Sequence, residues 1–346
     1  MLVAGRKSRA TGGESMRREI DRTTGSRLRR WLLWVLTLAV LSPTPAPACD
    51  STCCLMLTRG GSGLLRRGGF LIDFSFRTTD MSAKLAGSDS TAQVVRPKVL
   101  LEEGRLIPGY HEDLRGTDSF LQMDAAYGLL ASTTVFASIP LLSHRTYDIG
   151  HGGAQTAYDV RGIGDLVIGA RQGLVRSPQH SLVASVGFKL RTGKSDTIDE
   201  YDSTILDPTL QSGTGSNGFI GTLTWSMVAP GKTELGLSAS YQANTTNSYE
   251  YRFGNLAIAA ATLSRPIGGF VPSLQLKLVD QARSIFVDAG VPSTGATTLY
   301  LNAGLRYRTP EGLALYTHVL VPVYRYVNDA QLAPRYSLLF GLSKAF

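Results

Sequence analysis

The chain has 346 residues, of which 43% are hydrophobic and 18% charged, and its formal net charge is +8 at pH 7. Residues 1–48 contain nine Lys or Arg and three Asp or Glu, a net +6, so the rest of the chain carries only +2. A nearly neutral body excludes nucleic acid as a partner, whereas a mean hydropathy of +0.01 is compatible with a soluble protein or with membrane-spanning strands.

The first 48 residues predict a secretory signal peptide. Three arginines between residues 27 and 30 precede an apolar run of 11 residues, 31–41, and a small-residue cleavage site at 46–48. The run is too short to cross a bilayer as a helix. Met16 is a candidate start, because the residues before it add nothing to such a signal.

The three cysteines of the chain follow this signal within six residues, as Cys49, Cys53 and Cys54. They fall in a segment, 49–68, that predicts a periplasmic tail. Three alternatives stay open: an oxidised pair with one free thiol, a lipid on Cys49, or capture of a soft metal ion by clustered thiolates. There is no haem-attachment motif, and we expect no cofactor.

Alternation with a period of two residues dominates the chain from residue 69 to residue 346. Phe70, Ile72 and Phe74 face one way, for example, while Asp73 and Ser75 face the other, which indicates strands with one apolar and one polar face. The predicted strands span residues 69–79, 119–130, 134–147, 162–175, 180–193, 217–229, 232–246, 252–266, 270–282, 297–308, 313–325 and 335–346. The alternation is poorest in the eighth strand.

Short and long connections alternate between these strands. The short ones contain turn residues such as Pro and Gly, and the longest connection covers residues 80–118. In the last strand, Tyr336 and Phe346 mark the two edges of an apolar face, as the aromatic girdles of a membrane barrel would. We therefore predict an all-β fold, a transmembrane antiparallel β-barrel of about 12 strands over residues 69–346; a soluble β-sandwich is the alternative.

Four segments resemble a known family. Residues 161–171 (RGIGDLVIGAR), 188–196 (FKLRTGKSD), 207–219 (DPTLQSGTGSNGF) and 324–342 are similar to motifs of the outer-membrane barrels named after the MetA pathway of phenol degradation. The resemblance implies a transport function for small organic molecules. The cysteine-rich start and the insertion between Arg77 and Asp118 are not part of that pattern, so no family substrate is carried over.

If the apolar face is outward, the strands send charged side chains into the lumen. The candidate lumen-lining residues are Arg77, Arg171, Lys189, Arg191, Lys277, Arg306, Arg308, Asp73, Asp124, Asp165 and Glu234. They predict a polar, mildly cationic lumen. Either these charges pair across the barrel and fill it, or they line a path that favours anionic or polar-aromatic solutes.

We predict a channel or transporter for small solutes, hydrophobic, aromatic or anionic, in the bacterial outer membrane. Its partners would be membrane lipid, the barrel-assembly machinery and the solute. One alternative is a surface-binding barrel that acts through its loops, although His111, Glu112, Asp113 and Arg115 in the longest loop read as solvated. An enzyme is not expected, because His318 stands on its strand without a catalytic motif.

Overall fold

The structure is a computed structural model that describes residues 63–346. The predicted signal peptide and Cys49, Cys53 and Cys54 lie outside the described residues. None of the helices in this part of the chain is long and apolar enough to cross a membrane.

The described residues are almost entirely β-strand and turn. The strands are β1 (Phe70–Met81), β2 (Ala83–Gly87), β3 (Asp89–Ser90), β4 (Val95–Leu100), β5 (Arg105–Leu130), β6 (Thr133–His151), β7 (Ala154–Gly162), β8 (Leu166–Arg176), β9 (His180–Leu190), β10 (Gly218–Val228), β11 (Glu234–Asn244), β12 (Tyr251–Arg252), β13 (Leu256–Ser264), β14 (Phe270–Gln281), β15 (Ile285–Phe286), β16 (Ala289–Gly290), β17 (Ala296–Arg308), β18 (Leu313–Ala333) and β19 (Tyr336–Ala345). Two 3-10 helices span Pro208–Leu210 and Pro230–Lys232.

Twelve of these strands close a barrel in the order β1-β5-β6-β8-β9-β10-β11-β13-β14-β17-β18-β19. Every neighbour in the ring is antiparallel, and β19 pairs back onto β1 with Leu71 opposite Ala345. Closure leaves no free sheet edge, which is the condition for strands to lie in lipid. The prediction of an all-β barrel of about 12 strands is confirmed, and β13, the strand with the poorest alternation, is among the twelve.

The two faces of the wall differ as the alternation predicts. Phe74, Phe340 and Leu342 are exposed on the outside, whereas Asp73 and Ser75 are buried on the inside. A soluble monomer would not present so continuous an apolar surface to water. The outer face is therefore suited to lipid.

The two ends of the barrel are built differently. At one end, which we call the turn end, tight turns join the strands, and Phe70 and Phe346 exchange backbone hydrogen bonds of 3.2 and 2.8 Å. At the other, the loop end, longer connections carry the short strands β2, β3, β4, β7, β12, β15 and β16. Phe346 lies at the turn end and Tyr336 at the opposite end of β19, both exposed.

The longest predicted loop, residues 80–118, is folded. It contains β2, which pairs with β18, and β4, which pairs with the extended start of β5. The expectation that His111 and Asp113 are solvated is wrong, because both side chains are buried. Glu112 pairs with Lys84 at 2.9 Å, and only Arg115 lies well exposed.

The loop end is covered by a packed apolar core, which we call the cap. The small sheet β12-β15-β16 meets the end of β4 and the connection between β9 and β10, residues 191–217, which we call the inner loop. The buried residues of this core are Val99, Leu101, Ile205, Tyr251, Phe286 and Val291. The cap therefore joins four connections that are distant in sequence.

The barrel closes where β19 pairs with β18 and β1, a region that we call the closing seam. Tyr316 on β18 lies across Gly341 on β19, and its hydroxyl donates to Asp73 on β1 at 2.8 Å. A methyl group at Gly341 would overlap the Tyr316 ring, so we expect Gly341→Ala to lower the free energy of unfolding by about 1–3 kcal/mol. Urea unfolding of the refolded barrel measures this.

Gly221 on β10 is the matched control, because a methyl group there meets nothing within 4 Å. We expect Gly221→Ala to leave the unfolding midpoint unchanged or slightly higher. Equal losses in the two variants would contradict the seam argument.

Candidate functional site

The lumen holds two cavities. The lower chamber, about 710 Å³, opens among residues of the turn end such as Pro266 and Gly312. The upper chamber, about 160 Å³, lies under the cap and is lined in part by the inner loop from Pro208 to Thr214. Val167 lines both chambers.

Nine of the eleven predicted lumen residues line one of these chambers. The lower chamber contains Asp73, Asp124, Arg171, Glu234, Arg306 and Arg308, and the upper chamber contains Arg77, Asp165 and Lys189. Two differ: Lys277 is buried in the wall without lining either chamber, and Arg191, just past the end of β9, is exposed.

An apolar belt crosses the lumen between the chambers, which the prediction of a polar lumen missed. Its buried residues are Ala126, Phe136, Val167, Ile220, Leu256, Ile258, Val279, Tyr300 and Leu320. In β13 the inward Leu256 and Ile258 are apolar while the outward positions are mostly alanine, so both faces are apolar and the alternation disappears. The interior therefore contains an apolar layer in addition to the charged residues that line the chambers.

The first described residues enter the lower chamber. Leu65 N donates to Thr134 Oγ1 at 2.9 Å, and the carbonyl of Gly63 accepts from Arg171 at 3.1 Å. Leu65 also packs against the apolar belt. Residues 63–65 of the predicted tail thus lie inside the barrel.

His318 is a wall residue of the lower chamber. Its Nδ1 lies 3.2 Å from Asn302 Oδ1, and its ring sits over Gly304, where a methyl group would overlap it. Among residues 63–346, no three His, Cys, Asp or Glu side chains are grouped so as to hold a metal ion. The arrangement of His318 is that of a hydrogen-bonded residue of the wall.

Asp165 fastens the inner loop to the barrel wall. Its carboxylate accepts from Gly193 N at 3.0 Å, from Thr214 N at 3.0 Å and from Thr214 Oγ1 at 2.5 Å. Lys189 stands 3.9 Å from the same carboxylate and donates to Thr214 Oγ1 at 2.8 Å. These two predicted lumen charges therefore hold the loop that lines the upper chamber.

Buried ion pairs fasten the other side of the inner loop. Lys98 on β4 contacts Asp199 at 2.5 Å and Asp202 at 3.4 Å, and the Lys98 and Asp199 side chains are each 3% exposed. Asp207 Oδ1 accepts from Val99 N at 2.9 Å. Because a buried charge is costly without its partner, these contacts favour a closed loop.

A second buried pair lies beside them. Arg96 contacts Asp113 at 3.2 Å, and His111 Nε2 lies 3.3 Å from Asp113 and 3.9 Å from Asp207. Sequence reasoning missed this cluster because its members come from residues 96–113 and from the inner loop. No local pattern brings those segments together.

The two carboxyl groups of this cluster titrate in opposite directions. Burial opposes ionisation of Asp113, but the charge of Arg96 and the hydrogen bond with His111 outweigh it and lower the pKa of Asp113. Burial dominates at Asp207 and raises its pKa above the usual 3.8. Asp113 thus stabilises the cap above about pH 3.8 and loses this effect as the pH falls through its lowered pKa. Asp207 stabilises it below pH 3.8 and loses this effect as the pH rises through its raised pKa.

These directions predict different outcomes for two matched substitutions. Asp113→Asn leaves Arg96 buried without its carboxylate, so we expect a loss of about 3–5 kcal/mol in the free energy that closes the cap. Asp207→Asn retains the carbonyl that accepts from Val99 and resembles the protonated acid, so we expect less than about 1 kcal/mol. Hydrogen–deuterium exchange of residues 191–217 in the refolded barrel measures both, and equal exchange in the two variants would contradict the assignment.

The sequence was compared with protein families and with curated proteins. A model of the family described as "Putative MetA-pathway of phenol degradation" matches residues 122–330. No curated protein matches the chain at a significant level.

One solved outer membrane channel shares the fold, and two further structures are less similar. An outer membrane channel from Pseudomonas putida F1 is 12% identical, with a TM-score of 0.56 over 83% of this chain and 98% of its own. The translocator domain of the autotransporter NalP from Neisseria meningitidis is 12% identical, with a TM-score of 0.44 over 85% and 94%. The toluene transporter TbuX from Ralstonia pickettii is 10% identical, with a TM-score of 0.40 over 88% and 96%.

The family match covers more than half of the chain, includes most of the barrel strands and agrees with the resemblance of the sequence motifs. The chain belongs to the family described as "Putative MetA-pathway of phenol degradation".

Proposed function

We propose that the protein is an outer-membrane channel that passes small solutes through a lumen closed at rest. The observation that carries this proposal is the lower chamber. Its volume of about 710 Å³ shows that side chains do not fill the interior, as they do in the narrowest barrels. The family match and the barrel fold support it. The turn end would face the periplasm, and the loop end would face outward.

The exposed apolar wall supports the bacterial outer membrane as the location, with lipid as its contact and the barrel-assembly machinery as the partner that inserts it. Aromatic side chains flank this wall, as at Phe70 and Phe346, whose ring centroids are 6.2 Å apart. Such residues favour the membrane interface. We propose further that residues 1–48 are a signal peptide and that residues 49–68, which carry the three cysteines, form a periplasmic tail.

The two chambers differ in their balance of charged side chains, which the net charge of the whole lumen does not show. Among the described residues, three Arg and three Asp or Glu line the lower chamber, so it is balanced. Four Arg or Lys and three Asp line the upper chamber. A solute that crosses the barrel therefore meets a neutral polar chamber, the apolar belt and then a chamber with one excess positive charge.

Neutralising two lower-chamber arginines tests whether current follows this lumen. The double substitution Arg306→Gln and Arg308→Gln leaves one positive and three negative groups in the lower chamber. We therefore expect the reversal potential in a KCl gradient to shift toward cation selectivity. Single-channel recordings of the refolded barrel in planar bilayers measure this. Arg191→Gln removes a charge outside both chambers and should leave selectivity unchanged. A folded wild-type barrel that carries no current under any voltage or gradient would contradict the channel.

Shortening the inner loop tests closure at the loop end. Gly193 and Gly213 pack directly against each other, so residues 195–212 can be replaced by two glycines without separating β9 from β10. We expect conductance to rise severalfold, because the deletion removes the segment that lines the upper chamber. Unchanged conductance would show that the inner loop does not limit the path.

A further inference from the structure

A buried amide stands within the apolar belt. Gln242 on β11 lies directly opposite Ile220 on β10 and Leu256 on β13 in the strand register, and both of these neighbours are belt residues. Residues that are directly opposite in an antiparallel sheet point to the same face, with Cβ atoms about 5 Å apart. Gln242 is therefore a polar side chain between two aliphatic ones.

This row of residues lies where the two chambers meet. Gln242 and Leu256 line the upper chamber, whereas Ile220 lines the lower one. Gly187 on β9 continues the row opposite Ile220. A methyl group at Gly187 would lie 3.6 Å from Ile220 and 3.4 Å from Val167, which lines both chambers. Gln242 thus belongs to the level that separates the upper chamber from the lower one.

A chain of hydrogen bonds fixes the orientation of the Gln242 amide. Asn244 Nδ2 donates to the backbone oxygen of Gly254 at 2.9 Å, and Asn244 Oδ1 accepts from Gln242 Nε2 at 2.9 Å. The other polar atom of the amide, Gln242 Oε1, is buried and has no hydrogen-bond partner among residues 63–346. A rotation that exchanged the two atoms of the Gln242 amide would place two oxygens against each other.

The acceptor at Gln242 favours one kind of ligand group. Its side chain is 4% exposed, and a buried acceptor without a donor costs free energy that a ligand with an O–H or N–H group removes. An ion would lose its water beside Ile220 and Leu256 and gain a single neutral partner, which disfavours charged donors. An uncharged hydroxyl group meets both conditions.

The upper chamber limits the size of the ligand. It measures about 160 Å³, and a cavity of about 150 Å³ accommodates benzene. Leu256, which stands opposite Gln242 and lines this chamber, supplies apolar surface beside the amide. A single six-membered carbon ring that carries one hydroxyl group matches these features.

We propose that Gln242 determines the specificity of the lumen, because its Oε1 accepts a hydrogen bond from the hydroxyl group of compact, uncharged alcohols. This inference rests on the proposed function, since a residue at the level where the chambers meet acts on the solutes that the channel passes. The belt contacts the carbon body of the solute, and Gln242 distinguishes an alcohol from a molecule of the same size that has no donor.

Calorimetric titration of the refolded wild-type barrel tests the site without any variant, once the heat of titration into detergent alone is subtracted. The two probes are cyclohexanol and cyclohexanone, which have the same carbon ring, although only the alcohol has a donor. We expect cyclohexanol to bind about three- to tenfold more tightly, the range that one net hydrogen bond supplies. Equal affinities, as a water molecule held at Oε1 would produce, overturn the proposal.

A matched pair of substitutions assigns the preference to one residue. Gln242→Met keeps a side chain of similar length without its amide, so we expect cyclohexanol and cyclohexanone to bind this variant equally. Gln172→Met removes an exposed amide on β8 that lines neither chamber, so the preference for the alcohol should persist. A preference that also persists in Gln242→Met overturns the assignment. Heat-modifiable migration in electrophoresis confirms that each variant is folded.

The channel and the site can fail separately. Wild-type current combined with equal binding of the two probes, or with no binding of either, overturns the site and leaves the channel. The expected preference for cyclohexanol in a barrel that carries no current overturns the channel and supports the site.

Discussion

The structure depends on one constraint: strands that lie in lipid must pair all their backbone N–H and C=O groups with one another. The pairing of β1 with β19 meets this constraint by closing the sheet. Closure also brings Phe70 and Phe346 together at the turn end. The long connections then all fall at the opposite end, where four of them pack into the cap.

Inside the wall, apolar and charged groups occupy separate levels. The apolar belt lies between a charge-balanced lower chamber and a smaller upper chamber that has one more basic than acidic side chain. The inner loop bounds that upper chamber and is held on both sides, by Asp165 and by Lys98. The interior therefore combines a spacious chamber at the turn end with a smaller chamber under the cap.

Local alternation was sufficient to predict the wall, because lipid on the outside imposes the same period on all twelve strands. It failed where the inside was apolar as well, as at Ile258 in β13. It also could not predict the cap, since Lys98 and Asp199 are 101 residues apart in sequence. Most of the charges that were predicted from their side of the strand line a chamber, whereas Arg191 does not, because β9 ends before it.

The pairing of β1 with β19 also has a consequence for the order of folding. The first strand of the wall cannot complete its hydrogen bonds until the last strand has been synthesised, so its edge stays open until then. An open edge readily pairs with other chains. During assembly, this edge must therefore be shielded from other chains until the rest of the sheet has formed.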